Sequence, residues 1–217
     1  MRFRIGIAAL VLFGGLTALV AGKWSVLVEL DARASAAARR YGTAHPGWVA
    51  TWRTITHFGD SLPLVVLGLG LVVALVIARR HLDALLVVVA AVSTQALSMA
   101  VRLPVARPRP VDGFTPVDSW AFPSGHTLHS AVAALLLVHL ISPHLARRWR
   151  WSVAAVAALA AGLIGASRVM LLAHWPSDVL GGWLLALGVL LPLFTASDAA
   201  PRTRPRPPPP RPAPQRS

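Results

Sequence analysis

Apolar residues in this chain come in long, nearly unbroken runs, not at the alternating intervals of a half-buried helix or strand. Six runs cover about residues 5–22, 62–78, 82–101, 127–141, 152–166 and 179–194. They approach the roughly 20 residues that a helix needs to cross the hydrocarbon core of a membrane. Only helices and closed barrels satisfy their own backbone there, so the pattern predicts an all-α, polytopic bundle of six transmembrane helices.

The segments between the runs refine this picture. The first run follows Arg2 and Arg4 and ends at Val20-Ala21-Gly22, a passable cleavage site; its length exceeds a usual signal core and favours a retained helix. From Lys23 to Ser61 apolar and charged residues are mixed, which reads as one or two amphipathic helices in the membrane interface, with Trp24, Trp48 and Trp52 at headgroup level. A solvated loop with a few buried aromatics fits the same stretch. Gly59-Asp60-Ser61 forms a turn with a helix-start signal. The short basic link Arg79-Arg80-His81 makes the second and third runs an antiparallel pair, with Ser93, Thr94, Gln95 and Ser98 as helix–helix contacts. One membrane domain over residues 1–196 is therefore expected, followed by a disordered Pro/Arg-rich tail, 197–217.

Composition agrees with a membrane protein: 55% of residues are hydrophobic and 13% charged. The net charge of +13 does not point to nucleic acid, because the basic residues lie in short clusters between apolar runs and in the tail, where anionic lipid headgroups are the fitting partner. There is no cysteine, which excludes disulfides and thiolate metal sites. With six spans, Arg2, Arg4, Arg79, Arg80, Arg147, Arg148, Arg150 and the five tail arginines share one side. The positive-inside rule makes that side, with both termini, cytoplasmic; the basic first loop opposes this but is long and weighs less. The loops around residues 101–127 and 166–179 then share the extracytoplasmic face.

Those two loops hold the chemistry. Arg102, Arg107, Arg109 and Arg168 concentrate fixed positive charge, and guanidinium groups suit bidentate contacts with phosphate. Pro123-Ser124-Gly125-His126 opens an apolar helix, whose first amides form an anion site; taken alone, the tetrad also reads as capping by Ser124. His174 and Asp178 stand four apart, a spacing that lets the carboxylate fix one imidazole nitrogen and leave the other as a nucleophile. Such a pair is also often structural. His126 supplies a second imidazole, suited to act as general acid. A zinc set of His126, His129, His174 and Asp178 is the metal alternative, disfavoured by the nearby arginines. Arg107 reads as a solvated loop charge, His129 as support for His126, and His139 as a packed polar residue within a span.

Arg102 followed after six residues by Arg109-Pro110, then Pro123-Ser124-Gly125-His126, then Ser167-Arg168 followed after five residues by His174 and after three more by Asp178, resemble the three-part signature of the type 2 phosphatidic acid phosphatase (PAP2) family. The resemblance implies a six-helix membrane phosphatase that forms a phosphohistidine and uses no metal or other cofactor. It makes His174 the nucleophile, Asp178 its orienting partner and His126 the general acid, with Arg102, Arg109, Ser124, Gly125 and Arg168 binding phosphate. The family usually has lysine where Arg102 stands. The implied reaction is hydrolysis of a lipid headgroup phosphate, on phosphatidate, phosphatidylglycerol phosphate or a polyprenyl diphosphate. A lipid phosphotransferase and a non-enzymatic lipid-phosphate binding or transport protein are the competing readings.

Overall fold

Within hydrocarbon no water can satisfy backbone groups, so each apolar run closes its own hydrogen bonds as a helix. The computed structural model describes residues 1–200. Its helices are α1 (Arg2–Ala21), α2 (Ser25–Ala44), α3 (Pro46–His57), α4 (Ser61–Ile77), α5 (His81–Val105), α6 (Gly125–Ile141), α7 (Arg147–Met170) and α8 (Pro176–Ala199), with a short 3-10 turn at Ser142–His144. Among the described residues there is no strand. Among the described residues six helical stretches are long and apolar enough to cross a membrane, α3 and α4 counting as one.

Every run is a helix, but several helices continue past it into the polar clusters. α5 extends through Arg102 to Val105, α7 through Ser167 and Arg168 to Met170, and α8 starts at Pro176, ahead of Asp178. Apolarity stops where the hydrocarbon stops, whereas helical hydrogen bonding goes on until the backbone is interrupted. Pro176 suits the first turn, where its missing N–H is not needed. α8 runs three residues beyond the expected boundary at 196, and the expected tail from 201 lies outside the described residues.

The mixed segment is two helices, α2 and α3, with Pro46 opening the second. The solvated-loop alternative is thus set aside. α2 packs on α7 and α8, and α3 on α7. Trp48 meets Trp52 edge-on at 5.2 Å and Tyr41 at 5.1 Å. One face of α2 turns inward, and it carries Asp31, buried to 2% exposure.

α8 is the central helix: α1 lies along it, and α5 and α6 pack against it. Phe13, Phe122, Leu128, Leu185 and Leu190 form the middle of the core, with Phe13 and Phe122 stacked at 5.9 Å. Lipid tails are as apolar as these side chains, so tight contact and small residues hold the helices together. Gly182 shows this: a Cβ there would lie 2.9 Å from the Ser124 carbonyl oxygen and 3.0 Å from Thr127 Cβ. α8 therefore rests directly on the first turn of α6. At 1.5 Å rise per residue, Asp198 sits roughly 30 Å along α8 from Asp178, and there it pairs with Arg2 at 3.2 Å. His139 is packed near this far end, stacked on Phe194 at 4.0 Å.

Candidate active site

The turn at 171–175 joins α7 to α8 and carries His174. The amides of Ala173 and His174 both donate to the Arg168 carbonyl, at 2.9 and 3.1 Å, which folds the turn back over the end of α7. Asp178 Oδ2 accepts from the Trp175 amide at 2.9 Å and so caps α8. The same oxygen lies 3.4 Å from His174 Nδ1, an approach just short of a formed hydrogen bond. His174 Nε2 faces Arg109 Nη1 at 3.0 Å. Burial pushes the imidazole down to about 4; Asp178 pulls it up, and the Arg109 and Arg168 charges push it further down. The ring is therefore neutral at pH 7, and a proton on Nδ1 toward Asp178 leaves the Nε2 lone pair facing the arginines.

Arg107 is not the solvated loop charge its position predicts. Its side chain is 11% exposed and bridges two buried carboxylates, Asp31 Oδ2 and Asp178 Oδ1, each at 2.6 Å. Nη1 also donates to Ser177 Oγ at 2.6 Å, and Ser177 gives its amide and hydroxyl protons to Asp31 at 3.0 and 2.5 Å. The guanidinium lies 5.5 Å from the Trp175 ring centroid. The loop folds inward, and its cation has two acids to neutralise.

The other three arginines lack such carboxylates. Arg109 is held by carbonyls, donating to Ser119 O at 2.5 Å and to Ala173 O, and by Ser119 Oγ at 2.8 Å. Burial lowers its guanidinium to about 10, still charged at neutral pH. Arg168 is 2% exposed and donates to Thr56 Oγ1 at 2.8 Å, while its Nε has no partner. Arg102 Nη2 donates to Pro123 O at 2.9 Å, with Ser98 Oγ at 3.5 Å, and its Nε is likewise buried without a partner. A single ammonium could not hold Pro123 O and still offer hydrogens in several fixed directions, so arginine keeps more donors here than lysine would. Among the described residues none of the three has a carboxylate within ion-pair distance, and buried guanidinium donors of this kind suit an anion.

Ser124 and Gly125 stand beside Arg102 at the start of α6. Ser124 is fully buried, and its Oγ accepts from Thr127 Oγ1 at 2.9 Å, leaving its own proton to give. The nearest atom that a Cβ on Gly125 would meet is Arg102 Nη2, at 3.3 Å. The Ser124 amide donates to the Asp178 carbonyl at 3.0 Å, tying the start of α6 to the start of α8.

His126 Nε2 lies 3.0 Å from Asp60 Oδ1. His129 turns elsewhere, to Gln95 Oε1 at 3.1 Å and Ser61 Oγ at 3.3 Å. Among the described residues no three His, Asp or Glu side chains stand close enough to share a metal ion, so the zinc set of His126, His129, His174 and Asp178 is not assembled. The residues that sequence reasoning missed are Asp31, Thr56 and Asp60, and Arg107 is the one it named but left in solvent. The Gly59-Asp60 turn was visible as a turn, but nothing in an amphipathic pattern distinguishes the inward Asp31 from a solvent-facing acid.

The model of the PAP2 superfamily matches residues 80–202, which include all three clusters. The chain belongs to the PAP2 superfamily. It is 34% identical over 146 residues to phosphatidylglycerophosphatase B of Bacillus subtilis, covering 63% of this chain and 68% of that relative. Undecaprenyl-diphosphatase of Sulfolobus acidocaldarius is 37% identical over 78 residues, 36% of this chain and 31% of that one. The crystal structure of a transmembrane PAP2-type phosphatidylglycerolphosphate phosphatase from Bacillus subtilis superposes with a TM-score of 0.83 at 25% identity, covering 94% of this chain and all of the other. This is a multi-pass membrane lipid phosphatase of the PAP2 type.

Proposed function

We propose that the protein hydrolyses the phosphate monoester or diphosphate headgroup of a membrane lipid through a phosphohistidine at His174, without a metal or other cofactor. The observation that carries this is the pair of contacts on one ring: Nδ1 toward Asp178 at 3.4 Å, and Nε2 toward Arg109 at 3.0 Å. A phosphate bound by Arg102, Arg109, Arg168, Ser124 and the first amides of α6 meets the Nε2 lone pair head-on. The N–P bond forms as the P–O bond to the lipid breaks, and His126 gives a proton to the leaving oxygen. Water then attacks phosphorus, His126 takes its proton, and the N–P bond breaks to free inorganic phosphate. The arginines and amides offset charge spreading over the equatorial oxygens, which is most of what phosphoryl transfer requires.

The lipid tails lie among the helices while the headgroup enters the site on the extracytoplasmic face, with both termini cytoplasmic. Phosphatidylglycerol phosphate and polyprenyl diphosphate are the substrates suggested by the relatives' names. The test is a panel of these lipids and phosphatidate with purified protein in detergent. Inorganic phosphate should appear in step with the dephosphorylated lipid and survive EDTA, and His174→Ala should bring release to background. Turnover that persists in His174→Ala overturns the mechanism, a strict metal requirement overturns its metal-free form, and transfer of the label to a second lipid makes the protein a phosphotransferase.

A further inference from the structure

Asp60 lies outside the three clusters, at the N-cap position of α4, where an acid ordinarily accepts from the first amides of its own helix. Its carboxylate makes no such bond. Oδ1 goes to His126 Nε2 at 3.0 Å, and Oδ2 to Nδ1 of the exposed His57 at 2.9 Å. The turn before it is pressed inward: a Cβ on Gly59 would lie 2.4 Å from Ile164 Cγ2 and 3.6 Å from His126 Cδ2. Among the described residues Asp60 is the one acid against a ring that otherwise faces the Arg168 guanidinium and His129.

We infer that Asp60 is a positioning residue for His126, accepting Nε2–H so that Nδ1 is the atom presented to the leaving oxygen, and holding the imidazolium from which the proton is given. This rests on His126 being the general acid, as proposed above. The site then contains two histidine–aspartate pairs: Asp178 sets the nucleophile and Asp60 sets the acid. As the P–O bond breaks, the Nδ1 proton passes to the lipid oxygen and Nε2–H stays on Asp60. In the second half Nδ1 recovers a proton from the attacking water.

The inference is tested on phosphatidate and on its analogue with sulfur in the bridging position, whose thiolate leaves with little help from a proton. Asp60→Asn should lower kcat on the oxygen ester by about 10- to 100-fold, part of the 10²–10⁴ typical of general acid–base catalysis, and by less than about threefold on the sulfur ester. Asp60→Glu should recover part of the loss. Equal losses on both esters overturn the inference, whether or not the melting curve moves. His126→Ala is the reference: if it is selective for the oxygen ester and Asp60→Asn is not, the inference falls and the general-acid reading stands. If His126→Ala itself affects both esters equally, the general-acid reading falls.

Discussion

At His174 the two ring nitrogens face groups of opposite charge, and burial decides which form of the ring exists at neutral pH. The imidazole is held at about 4, against about 6.5 for an ordinary histidine. In the proposed mechanism protonation removes the nucleophile, so activity is expected above the folded value and lost as pH falls through it. With the substrate's own ionisation divided out, the acid limb of kcat/KM should therefore fall near 4, and Arg109→Gln should move it up by removing a cation that opposes protonation. A limb near 6.5 in the parent protein contradicts the buried, neutral ring. Arg107 carries a different prediction. Arg107→Ala leaves Asp31 and Asp178 buried and without their cation, and removing one partner of a buried ion pair typically destabilises by roughly 3–5 kcal/mol. Its melting temperature and kcat should both drop. Asp31→Ala combined with Arg107→Ala should lose less than the sum of the two, because the carboxylate that suffers most in the single variant is then gone.

Helices arrange these residues through their ends. Asp178, at the start of α8, receives the Ser124 amide on its carbonyl and the Trp175 amide on its carboxylate, so the starts of α6 and α8 and the turn carrying His174 share one anchor. The contact that brings the two helices together is Gly182 on the first turn of α6. Gly182→Val forces a Cβ to within 2.9 Å of a backbone oxygen that has no flexible side chain to move. Overpacking of this kind typically destabilises by about 1–3 kcal/mol, and the displaced Ser124 should also weaken inhibition by inorganic phosphate. Gly14→Ala, with open space around the added carbon, should leave melting temperature and phosphate inhibition unchanged. The helix cores were legible as apolar runs, but their ends were not. Arg102 and Arg168 look like loop residues by polarity and are helical, because the bundle supplies at its end the partners that solvent supplies elsewhere, whereas Pro176 already marks the helix start that holds Asp178.

Across the whole molecule the polar site lies at one end of the bundle and the Arg2–Asp198 pair at the other. A chain without cysteine allows a direct test of which end faces outward. Val111→Cys, in an exposed loop at the site end, should react with a membrane-impermeant maleimide on intact cells, whereas Trp149→Cys, exposed at the start of α7, should react only after the membrane is opened. The reverse pattern would place the active site in the cytoplasm. Hydrophobic patterning determined the all-helical, membrane-spanning class, because a run of apolar residues has few other solutions in water or lipid. Residue chemistry, together with the resemblance to the PAP2 signature, determined which arginines and histidines are candidates, because phosphate chemistry calls for few residue types. Only the tertiary structure decided what surrounds them: that Arg107 neutralises Asp31 and Asp178, that Thr56 holds Arg168, and that Asp60 turns from its own helix to His126. These contacts join residues 66 to 112 positions apart. Local pattern carries no record of such distances, and only packing brings the partners together.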